Sequence, residues 1–561
     1  MRIIKIKSVL IVLVFILLII SFSDIIKNSS NGKVKYDNYL INDSVIYSLG
    51  IPISQNKSLI ESIGYTPSSF IPFWFWNGNI TKDELIRQIE LMKSIKVNEV
   101  IIHARSGLYQ EYLSEEWFEL FGFSLSELRK NDIKVWIYDE FDWPSGIAGG
   151  KVLENNPSLI AKNLKIIKID GPKLELPLDE NFKVQKIISV IFSNLDKNTN
   201  LKDAYCTENQ CFFGDLYKNN SIYVFYQDFG HFKTEYKKEY YVDLLNKETT
   251  AIFINLTHEE YYKRFKGYFG NTIVGFFTDE PGFYSNVYDT FDIGSIPWTD
   301  DFDKVFYKKK GYNITDYVYF LWYEDESETS KKLKIDYFQV RNDLYINNYF
   351  KTLNDWTKKN NVLLTGHVLI EENLYDTILF EGDFFRAMEY LDIPGTDDII
   401  EFDKNKITPI LASSAEFIYN KPYSLTEVFA GYGWDLDYKE VLEVSEWLYN
   451  NGIDIIVLHS FFYTTKGYLQ FKDYPPSFFY QNDKLWPYME NYVDYTEFKF
   501  ESSKNITDFV FIKYPIKEAW SYFNPNNSSK VDELDKDMKK AIDYYRNKGK
   551  RIILVPDYML Y

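Results

Sequence analysis

Eight short apolar runs recur along this chain with helix-like segments between them, and that rhythm constrains the fold more than any other feature. The runs are Phe70–Trp76, Glu99–His103, Lys134–Glu140, Ile273–Phe277, Val362–His367, Ile393–Asp397, Tyr423–Thr426 and Ile453–His459. Most are nearly continuous in large apolar side chains, as strands buried on both faces must be. Thr81 with Glu84 three residues on reads as a capping box ahead of the stripe Leu85, Ile89, Met92. Further helices are expected at Glu115–Lys130, Glu259–Phe269, Tyr337–Lys358, Phe384–Leu391, Ala412–Tyr419 and Tyr438–Asn450, the last closed by Gly452. This alternation predicts an α/β fold, a (β/α)8 TIM-type barrel. An open doubly wound sheet is the alternative, but the chain has no Gly-x-Gly-x-x-Gly phosphate turn to support it.

The barrel accounts for residues 67–500. Residues 164–243 break the rhythm with short alternating runs such as Lys186–Phe192 and read as a β-rich insertion after the third strand. Residues 506–561 read as one strand–helix–strand crossover of a C-terminal α/β domain. A single crossover does not bury its own faces, so it either docks on the barrel or belongs to a truncated domain, and the expectation is a fragment. At the other end, Arg2, Lys5 and Lys7 precede the apolar stretch Val9–Phe22. Residues 1–26 are therefore expected to be a signal peptide or signal anchor with its basic flank in the cytoplasm. Residues 27–66, rich in Asn, Ser and Lys, are expected to be a linker. The expected location is exported, either tethered to the membrane through this single N-terminal segment or secreted.

The net charge of −18 argues against a nucleic-acid partner, because phosphates need a basic surface. It suits a neutral substrate or a divalent cation held by carboxylates. Aromatic residues make up 18% of the chain. Some could stack on sugars, although codon bias toward Tyr and Phe explains most of the excess. Cys206 and Cys211 are the only cysteines, and two thiols do not make a zinc site. They form either a small disulfide or two free thiols.

The ends of the runs carry the chemistry. His103, His367 and His459, three of the five histidines, end the second, fifth and eighth runs. Asp139, Glu140 and Asp142 follow the third run, Asp279 and Glu280 the fourth, Glu371 and Glu372 the fifth, Asp397 and Asp398 the sixth, and Glu427 the seventh. Helix caps, solvated loops and core histidines explain any one of these. Their accumulation at one end of a barrel points to a binding face. Trp74, Trp76, Trp143 and Trp434 are candidate walls for a pyranose, two of them equally suited to the core. Two carboxyls facing each other across a sugar, one protonated and one ionised, are what cleavage of a glycosidic bond requires. Glu280 and Glu427 are the candidate pair.

The motifs Pro72-Phe-Trp-Phe-Trp-Asn-Gly-Asn, His103-Ala-Arg-Ser-Gly-Leu, Ile137-Tyr-Asp-Glu-Phe-Asp-Trp-Pro-Ser-Gly, Phe277-Thr-Asp-Glu-Pro, Thr365-Gly-His-Val and Thr426-Glu-Val-Phe-Ala-Gly-Tyr-Gly-Trp occur in this order. Together they resemble glycoside hydrolase family 106, the α-L-rhamnosidase-like enzymes, from about Pro67 onward. The resemblance implies a barrel glycosidase acting on an oligosaccharide or polysaccharide with inversion, Glu280 as general acid and Glu427 as general base through water. It implies calcium on the same face, without assigning its ligands, and no organic cofactor. His103, Arg105, Asp139, Glu140, Trp143, Asp279, His367, Glu371, Trp434 and His459 are the candidate substrate contacts. The alternative function is a membrane-tethered carbohydrate-binding barrel without catalysis. A barrel acting on non-sugar esters or amides has no Gly-x-Ser-x-Gly nucleophile elbow here to support it.

Overall fold

The computed structural model describes residues 38–42, 65–176, 186–193, 205–207, 209–213, 218, 221–229, 240–284, 294–323, 325–502 and 508–560. The expected signal segment at 1–26 lies outside them. Among the described residues no helix is long and apolar enough to cross a membrane.

Eight parallel strands close into a barrel in chain order: β1 (Phe70–Trp76), β2 (Glu99–Ala104), β3 (Lys134–Phe141), β4 (Ile273–Asp279), β5 (Leu363–His367), β6 (Ile393–Asp398), β7 (Leu425–Val428) and β8 (Ile455–Phe462). The molecule is thus a (β/α)8 barrel. Side chains alternate across each strand. Ile71, Phe73, Phe75, Ile101, Trp136, Tyr138, Phe277, Leu363, Ile393, Leu425 and Val457 fill the interior, while Trp74 and Trp76 point outward beneath the helices. Gly275 faces the interior because a Cβ there would sit 2.0 Å from the Trp136 ring. Trp74 donates to Gln88 and Trp76 packs edge-on against Trp117. These two tryptophans are core, as one of the sequence alternatives held.

The first helix, Lys82–Ser94, buries Leu85, Gln88, Ile89 and Met92. Its capping box is only half formed. The Thr81 hydroxyl accepts from the Glu84 amide, but the Glu84 carboxylate turns to Arg87 and Gln88, and the Thr81 amide donates to the Tyr463 hydroxyl. Arginine and a buried glutamine outcompete a single backbone amide for that carboxylate.

The insertion after β3 contributes an antiparallel sheet of Lys162–Ile169, Lys186–Ser193 and Ser221–Phe229. A fourth strand, Ile296–Trp298, joins it from the segment after β4, so the sheet draws on two loops rather than one. A smaller hairpin in this region is closed by a Cys206–Cys211 disulfide.

The C-terminal crossover docks on the barrel. Its parallel strands Phe509–Tyr514 and Arg551–Pro556 lie on the helix Thr408–Ile418, where Phe417 packs on Phe511 and the Leu554 amide donates to the Ser414 hydroxyl. That helix is buried at every position. Sandwiched between two sheets, it needs an apolar surface all round. Residues 39–41, read as linker from the sequence, run along the edge of the crossover and bond to Phe511 and Lys513.

Candidate active site

Strand register and side-chain alternation together build the site. On β4 and β5, Asp279 sits beside His367; on β6 and β7, Asp397 sits beside Glu427. Counting in twos from interior residues leads to the same face: Phe277 to Asp279, Leu363 to His367, Ile393 to Asp397, Leu425 to Glu427 and Val457 to His459. All five reach the C-terminal end of the barrel, where (β/α)8 enzymes do chemistry. A cavity of about 200 Å³ opens there, lined by Arg105, Trp143, Asp279, Glu280, Leu369, Ile370, Ile399, Ile400, Glu427, Ala430, His459 and Tyr474. Glu280 and Glu427, 147 positions apart in sequence, share it.

His367 occupies the centre of the charge. Its Nε2 lies 2.9 Å from Glu427 Oε2 and 3.3 Å from Asp279 Oδ1, and its Nδ1 lies 3.9 Å from Asp397. Burial works against charging this imidazole, but Asp279, Glu427 and Asp397 outweigh it and hold its pKa well above the usual histidine range. The buried imidazolium divides the two glutamates. Burial raises the Glu427 pKa, and the hydrogen bond it takes from His367 opposes that rise without reversing it. Among the described residues Glu280 takes the Tyr284 hydroxyl, at 3.1 Å, and burial with the adjacent Asp279 and Asp397 pushes it well above the carboxylate range. Both carboxyls are thus raised, Glu280 further than Glu427, so Glu280 is the more readily protonated of the two.

Arg105 is buried and held in a fork by Asp473, at 2.7 and 3.1 Å, with Asp142 3.7 Å away and the Phe75 ring beneath it. Burial, then Arg105, keep His459 well below the usual histidine pKa, and therefore neutral. Backbone strain gathers on this rim. Asp142, Glu280, Ile370, Ile400, Phe429 and Tyr474 all have φ between 44° and 80°, a region non-glycine residues seldom adopt.

Several candidate contacts lie elsewhere. Glu140 points into its own loop: Oε1 accepts from the amides of Phe141 (2.8 Å) and Gly149, and Oε2 from those of Ile147 (2.9 Å) and Ala148 (2.7 Å). It anchors the turn that carries Asp142 and Trp143. Asp139 is one residue off the inward parity set by Tyr138. It is buried, accepts from the Ser145 hydroxyl at 2.5 Å, and has His258 3.9 Å away. His103 stacks on Tyr138 at 3.4 Å inside the barrel, one layer below the cavity. Glu371 is buried behind the wall and accepts from the Asp397 amide. Trp434 stacks on Phe471 with 4.8 Å between centroids and is not part of the lining. Asp473, Tyr474 and the aliphatic wall were not among the candidate contacts; Asp473 and Tyr474 lie beyond β8 and carry no strand signal, although Tyr474-Pro-Pro-Ser fits the family resemblance.

Two groups of side chains could gather a cation, Asp279–His367–Glu427 and Glu280–His367–Asp397, each with ligand atoms within 4.8 Å of one another. An imidazole is a poor ligand for calcium, which takes oxygens. Beside Asp397, whose amide donates to Glu371 Oε1, Glu371 Oε2 is buried without a hydrogen-bond partner among the described residues.

Residues 234–468, from the end of the insertion through β8, match glycoside hydrolase family 106, described as alpha-L-rhamnosidase. A curated relative, the "Putative beta-glucuronidase" of Formosa agariphila, is 19% identical over 503 residues, which cover 78% of this chain and 41% of that protein. A rhamnosidase from Novosphingobium sp. PP1Y has a similar structure, with a TM-score of 0.56 and 13% identity over 84% of this chain and 63% of that one. A beta-galactosidase from the psychrophilic Marinomonas ef1 superposes with a TM-score of 0.53 and 9% identity over 87% of this chain and 70% of the other. The chain thus spans less than two thirds of the curated relative and of the rhamnosidase. The two solved structures share its fold. The family match reaches Glu280, His367, Asp397, Glu427 and His459 but stops short of Asp473.

Proposed function

We propose that this protein is an exported glycoside hydrolase that removes a terminal deoxyhexose, a rhamnoside foremost, from an oligosaccharide or polysaccharide with inversion. The observation that carries the reading is two glutamates lining a single cavity, Glu427 hydrogen-bonded to His367 at 2.9 Å and Glu280 raised further toward the protonated form. Glu427 takes a proton from water, whose oxygen bonds to the anomeric carbon. The glycosidic C–O bond breaks, and Glu280 gives its proton to the leaving oxygen. Arg105, Trp143 and His459 bind and orient the sugar. The same reading allows for a calcium ion on this face: Asp397 and Glu371 are the carboxyls that would hold it, and it would supply positive charge for sugar hydroxyls. Export is supported by the basic-then-apolar stretch of residues 1–26 and by the disulfide, a bond of oxidising compartments. That stretch also supports attachment to a membrane.

A panel of p-nitrophenyl glycosides tests the proposal: α-L-rhamnoside, β-D-glucuronide and β-D-galactoside, each with and without a chelator. The expected result is release of nitrophenol from the rhamnoside, reduced by the chelator. Binding of rhamnosides without turnover of any member would replace this reading with that of a non-catalytic carbohydrate-binding barrel.

A further inference from the structure

We propose that Ile370 and Ile400 are specificity-determining residues, forming an aliphatic seat for the C6 methyl group of a 6-deoxyhexose. The inference rests on the glycosidase reading above and names the side chains that select its sugar.

Both isoleucines line the cavity, on the loops after the adjacent strands β5 and β6, and both are held in the left-handed region, with φ of 58° and 71°. A β-branched residue there clashes with its own backbone, and glycine or asparagine would fit without penalty. At Ile400 the surrounding structure enforces the conformation. The Ile400 amide donates to the Ala430 carbonyl at 2.7 Å, and a Cβ on Gly431 would lie 3.0 Å from Ile400 Cδ1, so the neighbouring loop is cleared for this side chain. Ile400 is nevertheless 55% exposed. A half-exposed isoleucine gains little from its own burial, so core packing does not account for the strain at Ile400; Ile370 is partly buried against the core and shares the cavity wall with it. Such outliers mark functional positions.

The wall continues through Leu369, Ile399 and Ala430, while Asp279, Glu280 and Glu427 contribute carboxyls to the same cavity. A hexose presents hydroxyls around most of its edge, and a 6-deoxy sugar presents one methyl. A hydroxymethyl or carboxylate pressed against this aliphatic wall would lose its water without gaining a partner. A methyl loses nothing.

The test compares p-nitrophenyl α-L-rhamnopyranoside with p-nitrophenyl α-L-mannopyranoside, which differ only by the C6 hydroxyl. In the unaltered protein kcat/KM should favour the rhamnoside by about 10- to 100-fold, the range an apolar pocket achieves against one added hydroxyl. Ile370→Asn and Ile400→Asn should bring that ratio to about 3-fold or less, while thermal unfolding stays level or rises, because asparagine tolerates left-handed backbone. Ile400→Gly serves as a second variant that relieves the strain altogether. A ratio unchanged in these variants overturns the assignment while leaving the glycosidase reading standing. Hydrolysis of neither glycoside by the unaltered protein overturns both.

Discussion

Replacing Glu140 by glutamine should loosen one loop of the site without touching the sugar. The carboxylate accepts four backbone amides, two on each oxygen, from Phe141, Ile147, Ala148 and Gly149. Glutamine keeps one oxygen and sets an NH2 group against the other two donors. Two charge-assisted hydrogen bonds of about 1.5–3 kcal/mol each are then lost, so the loop weakens by roughly 3–6 kcal/mol. At tenfold per 1.4 kcal/mol, its opening becomes about 10²- to 10⁴-fold more frequent. Hydrogen exchange followed by mass spectrometry on peptides covering residues 141–150 reads this directly, with the strand Ile455–Phe462 as an internal control. Because the loop holds Trp143 on the cavity, KM should rise more than kcat falls. Exchange in Glu140→Gln within about threefold of the unaltered protein would refute the anchoring role.

Two further outcomes follow from buried charges. Glu99, at the opposite end of the barrel, accepts from Tyr65, Ser68 and Trp136, yet burial outweighs these donors and raises its pKa to about 7. A carboxyl raised in the folded state stabilises the protein below its unfolded value and loses that contribution as pH rises through the folded value. This group should therefore cost about 3 kcal/mol between pH 4.5 and pH 7 and above. In urea unfolding at pH 4.5 and pH 8, Glu99→Gln should gain on the unaltered protein at the higher pH; parallel profiles would contradict this. Asp473→Asn should destabilise the protein by about 3–5 kcal/mol in the same assay, because it breaks a fully buried pair and leaves the Arg105 guanidinium with only Asp142 nearby. A loss under about 1 kcal/mol would show that Arg105 is not held through Asp473.

The barrel was legible because a strand buried on both faces writes itself as an unbroken apolar run, and all eight runs became barrel strands. Much of the site was legible for a related reason. Polar residues ending such runs must sit at the strand ends, and the inward parity of Asp279, His367, Asp397, Glu427 and His459 follows from the period of two. Asp139 shows the same rule from the other side, since its odd parity relative to Tyr138 sends it under the helices. Glu140 has inward parity yet turns away to cap four amides, which depends on a loop conformation that no periodicity encodes. Arg105 and Asp473 meet across 368 positions and carry no local signal of their pairing. The left-handed Ile370 and Ile400 were hidden because sequence signals for that conformation are glycine and asparagine. The docking of the C-terminal crossover shows only in the all-round burial of Thr408–Ile418, which alone reads as any apolar helix.

The central claim is that Glu427, ionised beside His367, activates the water that attacks the sugar. Its most direct test is kcat for Glu427→Gln on p-nitrophenyl α-L-rhamnopyranoside, with unfolding followed in parallel. The account expects a fall on the order of 10²–10⁴-fold with an unchanged unfolding curve, the range set by loss of a general base. A kcat within tenfold of the unaltered protein would contradict it.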